Sequence, residues 1–265
     1  MILIIIISVI LLFYLSACLA LYLKQERLIF LPEKLDDNYK FHFATPFEEI
    51  TLTPKDAKLN ALWFKATNPK GIILYLHGNA GSNRTWGTVA EQLSDAGFDV
   101  FIYDYRTYGK SKGKLSEAAM YSDAQFAYNH LRRYFKQSEI IVYGRSLGSG
   151  FAAYLAKKNN PRLLILETPY YSMRAMAELQ MPVFPVSLLL RYAVPTHKFL
   201  RKVKCPVLIF HGTADELIPY RQSLKLKSYL KKADKYITIQ GGTHGNLAEF
   251  PEYSQDLKSF IEKYS

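Results

Sequence analysis

From residue 47 onward, short apolar runs alternate with stretches of helical length and periodicity, and this alternation restricts the fold more than any other feature. Residues 71–77 and 140–143 are nearly continuous apolar runs, as expected for strands buried on both faces. Residues 116–135 and 147–157 are helical segments between such runs. This order implies right-handed crossovers and a mostly parallel central sheet with helices on both faces. We therefore predict an α/β domain over residues 47–265, with ligands bound at the carboxyl ends of the strands.

The N-terminus is different in character. Residues 1–23 carry no charged side chain and are long enough to cross a hydrocarbon core of about 30 Å. A cleaved signal peptide would have a basic start and a shorter apolar run of roughly 7 to 15 residues, and this sequence has neither. We predict a single-pass transmembrane anchor over residues 1–23 and a connector over residues 24–46. A second hypothesis is that residues 15–18, Leu-Ser-Ala-Cys, form a bacterial lipobox acylated at Cys18, which would also place the protein on a membrane.

The charge of the chain bears on its partners. The sequence has 34 Lys and Arg residues against 23 Asp and Glu residues, a formal net charge of +11. Such an excess fits attraction to nucleic acid, attraction to anionic lipid headgroups, or solubility alone. Because of the apolar N-terminus, we expect the lipid bilayer as a partner and no nucleic acid. Lys24 and Arg27 follow the apolar run and nothing basic precedes it, so the positive-inside rule favours a cytoplasmic main domain.

One motif predicts a nucleophile. Residues 144–148, Gly-Arg-Ser-Leu-Gly, fit the pattern G-x-S-x-G directly after a predicted strand and directly before a predicted helix. The glycines on either side let the chain turn sharply, which lifts the hydroxyl of Ser146 above the sheet. The competing interpretation is a glycine-rich turn without catalytic function.

A serine hydroxyl needs a base to take its proton, and the base needs an acid to orient it. Asp215 follows the predicted strand 206–210, and His244 follows the last predicted strand, so both lie at the carboxyl edge. The chain order Ser, Asp, His is the one expected for α/β-hydrolases. Glu216 and Glu167 are alternative acids.

The loop after the first buried strand, His77-Gly78-Asn79-Ala80-Gly81, lies where an oxyanion hole would form. We expect the backbone N–H groups of Asn79 and Leu147 to hold the oxyanion of a tetrahedral intermediate. No metal is expected at His77, because HExxH and clustered ligands are missing. No nucleotide cofactor is expected either: Gly109-Lys110-Ser111 resembles the end of a P-loop, but Asp104 stands where its first glycine is required.

Several segments together resemble the α/β-hydrolase superfamily: HGNAGS from His77, DYRTYGKSKG from Asp104, YGRSLGSG from Tyr143, HGTADELIP from His211 and GGTHGNL from Gly241. The sequence is most similar to the membrane-anchored branch, the alpha/beta-hydrolase domain-containing lipid and acyl-protein hydrolases, which are grouped with serine-aminopeptidase-like hydrolases. QERLIFLPEKL from Gln25 also resembles that branch. One departure is Thr107, where the branch usually has glycine.

The resemblance implies a catalytic triad and an oxyanion hole at the positions already singled out: Ser146 as nucleophile, Asp215 as acid, His244 as base, and Asn79 and Leu147 as oxyanion donors. It implies no cofactor. It leaves the side of the membrane open, because members of this branch often face away from the cytoplasm.

The segment between two predicted strands, residues 169–200, bears on the substrate. It is rich in Met, Phe, Leu and Tyr, so we expect either a cap that shapes an apolar acyl pocket or side chains that pack on the core. The function predicted is a serine hydrolase that cleaves acyl esters or thioesters of lipid-like small molecules or acylated proteins through an acyl-enzyme on Ser146. The alternatives are a serine peptidase or amidase of the same fold, and a catalytically silent membrane-tethered scaffold or lipid-binding module.

Overall fold

The computed structural model describes residues 1–264. Its helices are α1 Ile2–Ile29, α2 Asn83–Ser94, α3 Glu117–Leu131, α4 Leu147–Lys158, α5 Met173–Gln180, α6 Val186–Leu189, α7 Thr196–Leu200, α8 Arg221–Leu224 and α9 Pro251–Lys263. Its strands are β1 Leu31–Pro32, β2 Phe47–Leu52, β3 Ala57–Phe64, β4 Ile72–Leu76, β5 Ala80–Gly81, β6 Asp99–Tyr103, β7 Lys112–Gly113, β8 Ile140–Arg145, β9 Leu163–Glu167, β10 Val207–Gly212 and β11 Lys235–Ile239.

The central sheet has nine strands in the order β11-β10-β9-β8-β4-β6-β3-β2, with β7 paired to β3. The strands from β11 to β6 run parallel, and β3 is antiparallel to both β6 and β2. Helices cover both faces, because alternate side chains of each buried strand enter two separate cores. In β4, for example, Leu74 belongs to the core that contains Phe151 of α4, whereas Tyr75 belongs to the core that contains Phe260 of α9. The predicted α/β fold class is confirmed.

Two predicted helices end differently in the structure. The helix predicted over residues 116–135 ends at Leu131. The sequence predicts a second helix over residues 222–231, but the structure has a short α8 followed by a 3-10 turn, Lys225–Tyr229, in which Leu226 is the one buried residue. A single buried apolar side chain gives little packing energy to hold a regular helix.

α1 continues to Ile29, beyond the predicted anchor, and most of its side chains are exposed. By length and composition it is a candidate membrane-spanning helix, a test that signal sequences also pass. Its buried and half-buried positions form one stripe, at Ala17 and Cys18, Leu21, Gln25 and Glu26, and Ile29. Because successive groups of this stripe are three or four residues apart, they share one face of the helix.

The segment between β9 and β10 contains α5, α6 and α7. α7 packs against α4, and its residues Phe199 and Leu200 are buried in the main core. α5 and α6 lie instead at the edge of the domain next to α1, and we call residues 173–190 the cap. The segment therefore fits both expectations: α7 packs on the core, and Met173 and Met176 of α5 contact the core and also line the cavity described below.

Thr107 adopts a left-handed backbone conformation with φ of 74°. This conformation is strained for a β-branched residue and costs about 1–3 kcal/mol, whereas glycine adopts it freely. We expect Thr107→Gly to raise the free energy of unfolding by about 1 kcal/mol after the extra entropy loss of glycine is counted. Thermal unfolding of the full chain in detergent measures this. Asn68→Gly is the matched control, since Asn68 also has positive φ (57°) but asparagine tolerates it. Equal shifts for both variants would contradict the strain argument.

Candidate active site

Ser146 lies at the turn between β8 and α4 with φ of 50° and ψ of −117°. The turn is tight because backbone passes close to both flanking glycines. A Cβ on Gly144 would lie 2.5 Å from Cβ of Ala152, and a Cβ on Gly148 would lie 1.9 Å from the carbonyl oxygen of Leu76. The motif therefore uses glycine for its missing side chain at both positions, and the strained φ falls on the serine itself.

Asp215 and His244, which are 29 residues apart in sequence, meet at the carboxyl edge of the sheet. The distance between His244 Nδ1 and Asp215 Oδ2 is 2.8 Å. The other carboxylate oxygen, Oδ1, accepts hydrogen bonds from the backbone N–H groups of Leu217 (3.0 Å) and Ile218 (2.8 Å). The loop after β10 thus fixes the carboxylate, and the carboxylate orients the imidazole of His244.

The charge of Asp215 is stabilised although the side chain is buried. Burial alone would raise the pKa of Asp215, but hydrogen bonds from His211 and His244 hold it well below its usual range. His211 Nε2 lies 3.2 Å from Asp215 Oδ2 and 2.9 Å from the carbonyl oxygen of Ile218. Asp215 is therefore ionised near neutral pH.

The two alternative acids lie in other surroundings. Glu216 is exposed. Glu167 is buried and pairs with Arg145, whose Nε lies 3.2 Å from Oε1 of Glu167. Its other oxygen, Oε2, accepts hydrogen bonds from the hydroxyls of Tyr143 and Tyr253.

Arg145 was not expected from the sequence to take part in the site. Its Nη2 donates to the backbone carbonyl oxygens of His244 (3.1 Å) and Gly245 (3.3 Å), so the same guanidinium joins Glu167 to the histidine loop. Arg145 and Glu167 are register partners in the neighbouring strands β8 and β9. A sequence signal existed, since opposite charges end two consecutive buried strands, but the strand pairing is needed to read it.

The loop after β4 brings Asn79 to the same place. Asn79 lines one pocket together with Ser146 and Leu147. Its side chain ties this loop to the end of α1: Nδ2 donates to the carbonyl of Ile29 (2.5 Å) and Oδ1 accepts from the N–H of Leu31 (3.3 Å). His77 beneath the loop is fully buried, and burial lowers the pKa of His77 to about 4, so its ring is neutral near pH 7.

A cavity of about 270 Å³ reaches the serine. Its lining is mostly apolar and comes from three places: the end of α1, the cap, and the loops around Asn79, Ser146 and Ile218. Among the described residues, those that line this cavity include no Asp, Glu, Lys or Arg. Within residues 1–264, no group of three His, Cys, Asp or Glu side chains is placed to hold a metal ion.

Comparison with known proteins shows the family of this chain. Residues 67–201 match the family described as serine aminopeptidase, S33. The uncharacterized protein YfhR of Escherichia coli K12 is 30% identical over 209 residues, which cover 74% of this chain and 73% of that protein. The chain belongs to the S33 family of α/β-hydrolases. Its resemblance to that superfamily, stated from the sequence motifs, is therefore confirmed.

Other relatives of this S33-family chain are known hydrolases. The lysophosphatidylserine lipase ABHD12 of Danio rerio is 32% identical over 196 residues, which cover 65% of this chain and 50% of that protein. The Pyrococcus furiosus esterase Pf2001 superimposes with a TM-score of 0.70 over 89% of this chain and 98% of the esterase, at 16% identity, a likeness that shows the fold. The family and its relatives identify the chain as a hydrolase.

The close approach at Gly148 generates a prediction. We expect Gly148→Ala to lower the free energy of unfolding by about 2–3 kcal/mol, because the added Cβ meets backbone that cannot move without shifting β4. The melting temperature of the full chain in detergent should fall by roughly 5–10 °C. Gly245→Ala is the control, since a Cβ there meets nothing within 4 Å. A Gly148→Ala protein as stable as the control would show that the turn is looser than described.

Proposed function

We propose that this chain is a serine hydrolase that cleaves acyl esters or thioesters through an acyl-enzyme on Ser146. The observation that carries the proposal is the apolar cavity that reaches a serine on a strained turn, at the same edge of the sheet as the hydrogen-bonded pair of His244 and Asp215. An activated serine and an apolar cavity together suit an acyl chain joined to a reactive carbonyl.

In this mechanism His244 takes the proton of the Ser146 hydroxyl while Oγ of Ser146 attacks the carbonyl carbon of the substrate. The N–H groups of Asn79 and Leu147 donate to the oxyanion of the tetrahedral intermediate, and each such donor contributes about 3–4 kcal/mol to stabilising the transition state. Asp215, which remains ionised, stabilises the imidazolium of His244. His244 then gives its proton to the leaving alcohol or thiol. In the second half, His244 activates a water molecule that attacks the acyl-enzyme, releasing the acid and restoring Ser146.

Several contacts favour an ester or thioester over a peptide with a free amino terminus. An aminopeptidase site needs a carboxylate to bind the ammonium group, and the described residues that line the cavity include none. Glu178 of the cap is paired with Arg174 (2.8 Å), and Glu167 is paired with Arg145. The lipase activity in the name of the Danio rerio relative supports the same choice. A silent scaffold would not need the Asp215–His244 pair.

We also propose that α1 anchors the protein in a bilayer. The domain arrangement is then an anchor, a connector and a hydrolase domain, in which the cap interrupts the segment between β9 and β10. The absence of charge from residues 1–23 and the exposure of most of these side chains support the anchor. An anchored enzyme with an apolar cavity points to substrates that carry an acyl chain in the membrane.

The role of Ser146 is tested by covalent labelling. A fluorophosphonate probe should label the full chain in detergent at Ser146, because a serine activated by a neighbouring base attacks such an electrophile quickly. Ser146→Ala should lose the label, and Ser149→Ala should keep it, since Ser149 lies one turn later in α4 with its hydroxyl bonded to a carbonyl. Equal labelling of the wild-type and Ser146→Ala proteins would contradict the assignment.

The roles of His244 and Asp215 are tested by turnover of a p-nitrophenyl ester. We expect His244→Ala to lose as much activity as Ser146→Ala, and Asp215→Asn to lose roughly 10⁴-fold, because the members of a triad act as a unit. Glu216→Gln, which changes the exposed neighbouring acid, is the control and should keep wild-type turnover. If Asp215→Asn kept full activity and Glu216→Gln lost it, the acid would be Glu216.

A further inference from the structure

The cap contacts α1 deep within the uncharged part of that helix. The hydroxyl of Tyr14 donates to the carbonyl oxygen of Val183 at 3.0 Å, and the ring of Tyr14 stacks on Phe184 with centroids 5.8 Å apart. Val183 and Phe184 lie in the turn between α5 and α6. A chain segment far from the N-terminus therefore lies beside the middle of the candidate anchor.

The position of this contact along α1 gives its depth. Lys24 is the first charged residue of the chain, and Tyr14 precedes it by ten residues. At 1.5 Å per residue, Tyr14 lies about 15 Å from the level of Lys24 along the helix axis. A hydrocarbon core is about 30 Å thick, so the contact with Val183 lies near the middle of the bilayer when Lys24 is at its surface.

The charges of the cap segment agree with this depth. Arg191, just after α6, pairs with Glu26 of α1 (3.2 Å), at the level of Lys24. Residues 179–190 of the cap, which precede Arg191 and lie beside the part of α1 between Glu26 and Tyr14, carry no charged side chain. The cap also exposes large apolar side chains: Val183 is 72% exposed and Leu188 79%. In water these two side chains would be an unfavourable surface, whereas in lipid they would be in their preferred environment.

Most backbone N–H groups of cap residues 181–190 are paired, and this suits a medium without water, where an unpaired N–H group is costly. Pro182 and Pro185 have no N–H group, and the carbonyl of Val183 is bonded to Tyr14. Six N–H groups of this segment donate to carbonyl oxygens within the cap: those of Met181, Phe184, Val186, Leu188, Leu189 and Leu190.

The cavity joins this region to the serine. α1 itself forms part of the cavity wall through Leu21, Gln25 and Leu28, opposite cap residues such as Met176 and Phe184. Leu21 lies three residues before Lys24, about 4.5 Å below its level. Gln25 fastens the two sides of the wall, because its Nε2 donates to the carbonyl of Leu189 (3.0 Å) and its Oε1 accepts from the N–H of Arg191 (2.8 Å).

We propose that cap residues 181–190 lie inside a lipid leaflet against α1, and that the cavity takes an acyl chain directly from the bilayer. The occupant of the exposed apolar cap surface is thus the acyl region of the membrane, continuous with the lipid around α1. The substrate class is a lipid or lipid-modified molecule whose acyl chain lies in that leaflet. This inference rests on the proposed esterase function and on the proposed anchor, and it adds that α1 determines chain-length specificity.

The depth of the cap is tested without any measurement of activity. The full chain with Leu188→Cys is spin-labelled, reconstituted into phosphatidylcholine vesicles, and examined by electron paramagnetic resonance with oxygen and with a water-soluble nickel chelate as relaxation agents. We expect the label at residue 188 to be more accessible to oxygen than to nickel. The control is Lys232→Cys, an exposed position three residues before β11 and thus at the opposite edge of the sheet, where nickel should be favoured. The wild-type protein, treated in the same way, measures any background labelling of the two buried native cysteines. Nickel accessibility at residue 188 equal to that at residue 232 would overturn the placement.

The role of α1 in the cavity is tested by a matched pair on one helix. Leu21→Trp should shorten the longest p-nitrophenyl ester that the full chain hydrolyses well, because the indole fills the cavity. Each excluded methylene costs about fourfold in kcat/KM, so a loss of roughly 15-fold on long chains relative to the butyrate ester corresponds to two methylenes. Leu19→Trp is the control: Leu19 is 58% exposed, lies outside the cavity lining, and is about 200° around the helix from Leu21.

The outcomes separate this inference from the proposed function. An unchanged chain-length profile in Leu21→Trp, with butyrate turnover intact, would overturn the role of α1 and leave the esterase proposal standing. If Leu19→Trp shortened the longest ester hydrolysed well as much as Leu21→Trp does, the role of α1 would also be overturned, because the effect would then come from the membrane and not from the cavity wall. If wild-type protein hydrolysed no ester at all, the proposed function would fail, while the resonance experiment would still decide where the cap lies.

Discussion

The parallel pairing of β8, β9, β10 and β11 is the constraint on which the candidate site depends. All four strands end at the same edge of the sheet, and three of them are followed by a residue of the candidate site: Ser146 after β8, Asp215 after β10 and His244 after β11. Because the register is held by continuous backbone hydrogen bonding, loops of unrelated sequence are placed within contact distance of one another. The helices on both faces then leave this edge as the place where a ligand can approach.

Buried charges hold the loops in place once the strands have brought them together. Glu167 ends β9 and pairs with Arg145 at the end of β8, and the guanidinium of Arg145 reaches the backbone of the histidine loop. Asp215 is satisfied on both oxygens, by two backbone N–H groups on one and by two histidines on the other. Removing one partner from such a set leaves a buried charge unpaired, which costs several kcal/mol, so the set acts as a unit.

The N-terminal helix is part of the same construction. β1, which directly follows α1, pairs with β5 in the loop after β4. The side-chain amide of Asn79 in that loop bonds to the backbone of Ile29 and of Leu31, on either side of the end of the helix. Its inner face supplies a wall of the cavity through Leu21 and Gln25. α1 is therefore joined both to the loop expected to supply an oxyanion donor and to the cap. A truncated domain without α1 would lose one side of the cavity.

The sequence by itself determined the fold class, because strand and helix periodicity are local patterns. It also predicted the five residues expected at the site, because G-x-S-x-G and the order Ser, Asp, His can be read along the chain. Tertiary structure decided which acid contacts His244, since Asp215, Glu216 and Glu167 all lie at or just after the end of a strand and differ in their neighbours. It also decided that Thr107 is left-handed and that the helix after β10 is broken. The contact between Tyr14 and Val183 joins residues 169 positions apart, and no local pattern encodes it. Such features depend on atoms that are distant in sequence and meet only when the chain has folded.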